Sequence, residues 1–419
     1  MSRSGRDLAT AEIARAVDAA WRAESARVIA TLARMVHDIG LAEELAQDAL
    51  VSALEQWPST GVPDNPGAWL TAVAKRRAID QFRRQETLQR KVSELGRDTD
   101  FAESFEEHAV ADLDDDIRDD VLKLIFTACH PVLSQEARVA LTLKMIGGLT
   151  TEEIARAYLS TEPTIAQRIV RAKKTLAQKQ IPFEIPSGDE LGPRFASVLE
   201  VVYAIFNEGY SATSGDSWTR PTLCGEALRL GHVLSGLAPG EAEVHGLVAL
   251  MEIQASRLRA RTDPSGKPIV LLNQDRTLWD VRAIRRGLSS LERAESLGSG
   301  PYTLQAAIAA CHARAGAPEQ TDWARIAALY EQLPSSPVVE LNRAVAVSMA
   351  QGPQAALDIL DPLLNEPSLK DYHLLPAVRG DLLARLGRND LAKVELARAA
   401  EMTRNATERE FLLQRIATL

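Results

Sequence analysis

Apolar residues recur at three- and four-residue spacing along most of the chain, the stripe that an α-helix buries against its neighbours. Val28, Leu32, Met35 and Ile39 form one such stripe, and Gly40 is placed to stop it. Leu41, Leu45, Ala49 and Ala53 form a second, with Glu43, Glu44, Gln47, Asp48 and Glu55 on its other side. PSTGVPDNPG carries three prolines and two glycines, which predicts a loop over Pro58–Gly67. Pro66 suits the first turn of a third helix running through AWLTAVAKRRAIDQFRRQ. There Leu70, Val73, Ala74, Ile79 and Phe82 are expected to face inward, and Lys75, Arg76, Arg83 and Arg84 outward.

The pattern weakens over Lys91–Asp119, which reads as an acidic linker with a fragment of helix around Phe101–Val110, and it resumes at Val121. Residues 191–419 are rich in alanine and leucine, helical, and punctuated by turns; KPIVLL (Lys267–Leu272) is the only strand candidate. Three segments near the end share one plan: CHARAGAPEQTDWARIAALYEQL, AVSMAQGPQAALDILDPLL and LLARLGRNDLAKVELARAA. Each is a small-residue helix, a glycine turn (Gly316, Gly352, Gly387) and an amphipathic helix. Their period is close to the tetratricopeptide repeat of about 34 residues. Such pairs bury their faces on one another and stack into a solenoid; an irregular helical bundle is the alternative.

LTTEEIARAYLSTEPTIAQRIVRAKKTL (Leu149–Leu176) is the strongest local signal. Thr150 with Glu153 fits a capping box. Tyr158-Leu159-Ser160 makes a turn, and Thr161 with Pro163 opens a second helix. On it Ile165, Ile169, Ala172 and Leu176 share one face, while Thr164, Gln167, Arg168, Arg171 and Lys174 share another. This is a helix-turn-helix whose second helix fits a major groove, where Gln reads adenine and Arg reads guanine. A helical hairpin with a solvated basic face is the plainer alternative.

Charge bears on that choice. The 419 residues have a net charge of −9, which by itself argues against a nucleic-acid partner. The excess is local: Glu94–Asp120 holds twelve acids against Arg97 and Arg118. On one side of it lie Lys75, Arg76, Arg77, Arg83, Arg84, Arg90 and Lys91; on the other, Arg168, Arg171, Lys173, Lys174 and Lys179. Two basic patches flank an acidic connector, and patches decide phosphate binding. Cys129, Cys224 and Cys311 cannot all pair and form no CxxC, so neither a disulfide framework nor a thiolate zinc cluster is expected. No apolar run is long enough to span a membrane, and no signal core opens the chain, so a cytoplasmic location without membrane contact is expected. Cys129-His130 and Cys311-His312 invite a metal reading, but helix neighbours diverge and packing roles fit better. Asn207-Glu208-Gly209-Tyr210 could line a ligand cleft; the plainer reading has Gly209 ending a helix and Tyr210 packing. No nucleophile-elbow, phosphate-loop or dinucleotide fingerprint occurs, so neither an enzyme nor a cofactor is expected.

These motifs together resemble the sigma-70 family of RNA polymerase sigma factors, in the compact extracytoplasmic-function subfamily. AEELAQDALVSALEQW is similar to the family helix that docks on the clamp helices of the polymerase β′ subunit, although Ala46 and Ala49 stand where larger residues are common. NPGAWLTAVAKRRAIDQFRRQ resembles the segment that opens and grips the −10 element, and Leu149–Leu176 the −35-binding helix-turn-helix. IFNEGY, LNQDRTLWD, GPYTLQAAIAACHA, TDWARIAALY and SPVVELNRAVAV look like the subgroup with a fused tetratricopeptide-like extension.

The resemblance implies an all-α chain of four parts. These are a region 2-like domain at 10–92, an acidic linker at 93–119, a region 4-like helix-turn-helix domain at 120–182, and a helical extension at 191–419. It implies binding to core RNA polymerase, β′ and β subunits, and to promoter DNA, double- and single-stranded. Glu44, Gln47 and Asp48 would face the clamp. Lys75, Arg76, Arg83 and Arg84 would neutralise phosphates of opening DNA, each adding roughly one unit to the salt slope. Asp64 and Asn65 would help capture a flipped base, whose extrusion costs a few kcal/mol. Thr164, Gln167, Arg168, Arg171 and Lys174 would contact the −35 element. The linker is either a solvated spacer or a nucleic-acid mimic. The extension is expected to pack on the sigma domains, across a short junction of Pro182, Pro186, Gly188, Gly192 and Pro193, and to control activity through a regulatory protein or ligand. Two rival readings are a conventional repressor or activator with sensing repeats, and a repeat adaptor with a degenerate sigma region.

Overall fold

The computed structural model describes residues 3–93, 113–158, 160–212, 218–264 and 266–419. Among these the chain forms eighteen α-helices and no strand, in two compact units, Met1–Val201 and Val202–Leu419. KPIVLL is not a strand: Pro268 makes one isolated bridge to Thr262, and Leu271–Asn273 is a 3-10 turn. The helix fragment expected at Phe101–Val110 lies outside the described residues.

In the first unit α1 (Arg3–Val36), α2 (Ile39–Thr60) and α3 (Pro66–Ser93) pack on one another. Ile29, Leu32, Leu45, Trp57 and Leu70 are buried, and Trp57 meets Trp69 edge-on at 5.3 Å. The first two helices break earlier than the sequence suggests. His37 takes a left-handed φ of 54°, and the Asp38 carboxylate accepts hydrogen bonds from the N–H groups of Gly40 and Leu41. Gly40 therefore opens α2 instead of closing α1. The helix α2 then runs through Pro58 to Thr60, so the loop shortens to Gly61–Asn65.

Next come α4 (Leu113–Ala128), α5 (Gln135–Met145), α6 (Thr151–Ala157) and α7 (Glu162–Gln178). The helix α4 begins inside the acidic run and packs on α1. Asp120, 1% exposed, pairs with Arg34 of α1 and with Lys123, both at 3.1 Å. Buried and paired, Asp120, the last acid of the run, belongs to the core. The capping box forms as expected: the Thr150 N–H donates to Glu153 at 2.8 Å, and the Glu153 N–H to Thr150 Oγ1 at 3.1 Å. Glu153 also pairs with Arg22 of α1. Gly148, at φ +68°, lets this turn close on α1, since a Cβ there would lie 2.9 Å from Ser25 Oγ.

The helix α8 (Leu191–Tyr210) contributes its first half to this unit. Phe195 packs edge-on against Phe126 at 4.9 Å, Arg194 donates to the Phe126 carbonyl at 2.8 Å, and Ser197 to that of Cys129 at 2.6 Å. The compact boundary thus falls within α8, not at the Pro182–Pro193 junction.

The second unit begins with the rest of α8, then α9 (Pro221–Leu237), α10 (Ala242–Ala255), α11 (Val281–Leu297) and α12 (Pro301–Arg314). The helix α10 packs against α9, α11 and α12. Gly209 does not end α8. It sits in the last turn, where a Cβ would lie 2.6 Å from the Cys224 nitrogen, so its lack of a side chain lets α9 approach. There follow α13 (Trp323–Glu331), α14 (Pro337–Ala350), α15 (Pro353–Leu360), α16 (Leu374–Arg385), α17 (Asn389–Met402) and α18 (Ala406–Ala417). From α12 onward each helix packs on the next. The three expected pairs are α12–α13, α14–α15 and α16–α17, and the second and third turn on Gly352 and Gly387 at positive φ.

Candidate nucleic-acid and polymerase interfaces

The basic face of α7 follows from its cap and its stripe. Thr161 Oγ1 accepts from the Thr164 N–H at 3.3 Å, and Glu162 and Pro163 make the first turn. Ile165, Ile169, Ala172 and Leu176 are buried, which turns Thr164, Gln167, Arg171 and Lys174 to solvent and leaves Arg168 half-buried. Thr164, Gln167, Arg168 and Arg171 line one groove with Ser134 and Glu136 of the α5 start; Lys174 lies outside it. Val170, 61% exposed, is an apolar group on this helix that the charge pattern passed over. Its signal was its place off the apolar stripe.

Lys173 leaves the basic face. Its ammonium pairs with Glu43 of α2, a carboxylate only 5% exposed. Lys144 of α5 approaches the same carboxylate at 3.8 Å, and Gln47 Nε2 donates to it. Burial pushes the Lys144 ammonium down, and Glu43 offsets part of that shift. Glu43 was expected on the polar side of α2; it is instead a buried junction of three helices.

On α2, Glu44 and Asp48 are exposed and Gln47 is half-buried. They share a groove with Leu41, Val51 and Gln81. Asp48 is not free: it pairs with Arg77 of α3 at 3.0 Å, and Arg77 also donates to Ser52 at 2.8 Å. Val51 and Leu54 are about half exposed, an apolar component of this face that the sequence reading did not single out. Ala46 and Ala49 are fully buried, so their small size serves packing inside the unit and leaves the outer face unchanged.

On α3, Arg76, Arg83 and Arg84 are exposed and Lys75 is half-buried. Ile79, expected inside, is 44% exposed. Asp64 is exposed, whereas Asn65 Oδ1 accepts from the Ala68 N–H at 3.0 Å. Asn65 is thus the cap of α3, with its amide nitrogen left for other contacts.

The cysteine–histidine pairs do not form a centre. All three thiols are buried, and burial pushes Cys129 up to about 11 and Cys224 to about 12. Such thiols remain protonated and unreactive. Among the described residues no three His, Cys, Asp or Glu side chains gather as metal ligands, and no helix is long and apolar enough to cross a membrane.

Comparison with known families matches sigma-70 region 2 over residues 20–87 and sigma-70, region 4, over 123–176. A family of unknown function (DUF6596) matches over 194–295. An uncharacterized protein of Rhizobium meliloti is 42% identical over 404 residues, 94% of each chain. The probable ECF RNA polymerase sigma factor SigI of Mycobacterium tuberculosis is 31% identical over 168 residues, 39% of this chain and 56% of its own. The ECF RNA polymerase sigma factor SigK of Mycobacterium bovis is 32% identical over 155 residues, 36% of this chain and 78% of its own. No solved structure matches.

Proposed function

We propose that this chain, which belongs to the extracytoplasmic-function subfamily of sigma-70 RNA polymerase sigma factors, selects promoters through α3 and α7 while α2 holds core polymerase. A sigma factor works in transcription initiation and is not itself a catalyst, so every role here is recognition. The observation that carries the residue assignment is the groove beside α7, where Thr164, Gln167, Arg168 and Arg171 lie together on a capped helix. Arg and Gln at such positions read base edges, and Lys174, outside the groove, suits a phosphate. Arg76, Arg83 and Arg84 supply charge for the opening −10 strand, with Lys75 beside them. Asp64 and the Asn65 amide nitrogen border the base that is drawn out. Glu44 and Asp48, flanked by exposed Val51 and Leu54, offer the clamp a face that is apolar as well as acidic. Gln47, bonded to Glu43, stands beside them. Hydrophobic contact then supplies affinity and charge supplies register.

The helical extension, in this reading, governs initiation and is required for it, through a regulatory protein or ligand. The test is in vitro transcription with core polymerase and promoters found by transcript sequencing after overexpression. The full chain should initiate specifically only with core. A chain ending at Val201 should bind core and fail to initiate. Specific initiation at full strength by that shorter chain would remove the extension's role, and promoter selection without core would overturn the sigma reading.

A further inference from the structure

Two segments that the promoter reading leaves unused, IFNEGY and LNQDRTLWD, bring cations together in the second unit without an answering carboxylate. Arg261 lies over Tyr210, its Cζ 3.7 Å from the ring centroid, and 5.8 Å from that of Trp218. Arg257 reaches two rings, Tyr210 at 5.9 Å and Trp279 at 5.8 Å. Arg276 lies 4.7 Å from the centroid of Trp279. Three guanidinium groups are therefore strung along two shared rings.

Their polar atoms are poorly answered. Among the described residues none of the three makes an ion pair, and the buried Nε of each has no hydrogen-bond partner. Arg276 does donate through its terminal nitrogen to the carbonyls of His312 at 2.7 Å and Ala315 at 2.5 Å. Trp279 Nε1 is also buried without a partner. All four of these atoms are donors and call for an acceptor; Tyr210 Oη, buried beside Arg261, answers that guanidinium in part. Burial lowers the Arg261 and Arg276 guanidinium pKa values, and Arg257 lowers both further. Glu319 acts on Arg276 from a distance; Tyr210 and Cys224 act on Arg261. Burial first, then Arg257 and Arg276, pushes His312 down to about 4, so this imidazole stays neutral and adds no charge of its own.

We propose that Arg257, Arg261, Arg276 and Trp279 form a binding site for a small phosphomonoester. A carboxylate would answer one of the three cations, whereas a phosphomonoester brings about −1.5 to −2 charges and three acceptor oxygens. Arg261 lies close over Tyr210, and the terminal nitrogens of Arg257 and Arg261 offer the forked donor geometry that suits a phosphate. The site needs neither polymerase nor DNA, so its test is independent of the promoter reading.

That test is titration calorimetry and thermal shift of the full chain with phenyl phosphate, inorganic phosphate and benzoate. Phenyl phosphate should bind and raise the melting temperature. Arg257→Gln and Arg261→Gln should each weaken it about tenfold or more, the loss expected for one charge-assisted hydrogen bond. Ligand-free, both variants should be at least as stable as the parent, because like-charge crowding is relieved. Equal binding of inorganic phosphate would uphold the site and assign recognition to the oxyanion. Tighter binding of benzoate would overturn the phosphate assignment. Phosphate affinity unchanged in both variants would mean an adventitious anion only. No binding by the parent chain would overturn the site, and destabilised variants would then identify the cluster as a structural brace.

Discussion

Glu43 shows how a single position separates residues that look alike in the sequence. Glu43, Glu44 and Asp48 are neighbouring acids on one helix, yet Glu43 is buried among Lys173, Lys144 and Gln47 while the others face solvent. Glu43→Gln leaves two ammonium groups facing each other with no counter-charge. Breaking a buried pair from one side costs about 3 kcal/mol or more. The urea midpoint of the first unit should fall accordingly, whereas Glu44→Gln should stay within about 0.5 kcal/mol of the parent. Equal midpoints for the two variants would remove the junction. A second buried acid gives a pH test. Burial raises the Glu252 pKa, but hydrogen bonds from His232 at 2.9 Å and Arg286 at 2.8 Å outweigh it and hold the carboxyl below its ordinary value. A folded-state pKa that is depressed gives stability above the unfolded value of about 4.3, lost as pH falls through the folded one. Glu252→Gln should therefore be less stable at pH 7, with the gap to the parent closing below about pH 4. Urea denaturation across that range checks it, and a gap that does not change with pH would count against the carboxylate.

At the scale of helices, what was legible depended on whether the signal lay inside one element. The α6–α7 hairpin could be read whole, because its capping box, its proline and its apolar stripe are all local. The α1–α2 break could not, since the stop is His37 in a left-handed conformation, a feature no residue type demands, and Gly40 was the more obvious breaker. The start of α4 at Leu113 was hidden by composition: an acid run looks solvated unless its partner on another helix, Arg34, is known. The same limit splits the basic run of α7. Arg168 and Arg171 line the groove, whereas Lys173 is spent on Glu43. Arg168→Ala or Arg171→Ala should cost about 1–3 kcal/mol of −35 discrimination with core binding intact. Lys173→Ala should lower stability instead. Promoter titrations with base-substituted −35 sites distinguish these, and parental discrimination in both arginine variants would refute the face assignment. On α2, Asp48 is held by Arg77, so reversing it would disturb the fold as well as the surface. Glu44→Arg is the cleaner probe. It should weaken core binding in a salt-dependent way, and unchanged affinity would clear this face of the role.

For the whole molecule, the position of the boundary decides what a truncation can mean. Proline and glycine density between Pro182 and Pro193 marks a junction in the sequence, but Pro193 sits in the first turn of α8, where its missing N–H costs nothing. The helix then sets Phe195 against Phe126 of the first unit, and Val198, Leu199 and Val201 beyond it are buried as well. Arg138 fixes it there, donating to Ser197 at 2.5 Å and pairing with Glu200 at 3.0 Å. Each buried apolar side chain contributes about 1.5–3 kcal/mol as an upper estimate. Removing four approaches the roughly 5–15 kcal/mol that holds a domain folded. A chain ending at Pro186 should thus lose activity by unfolding, because Phe126 loses its cover and Arg138 loses its partners. A chain ending at Val201 keeps them all and should melt cooperatively. Circular dichroism and hydrogen exchange at α4 and α5 separate the two cases. If the Pro186 chain melts as cooperatively and as high as the Val201 chain, α8 is not part of that core. If it does not, a loss of transcription on cutting at Pro186 says nothing about regulation, and only a cut at Val201 can report what the extension does.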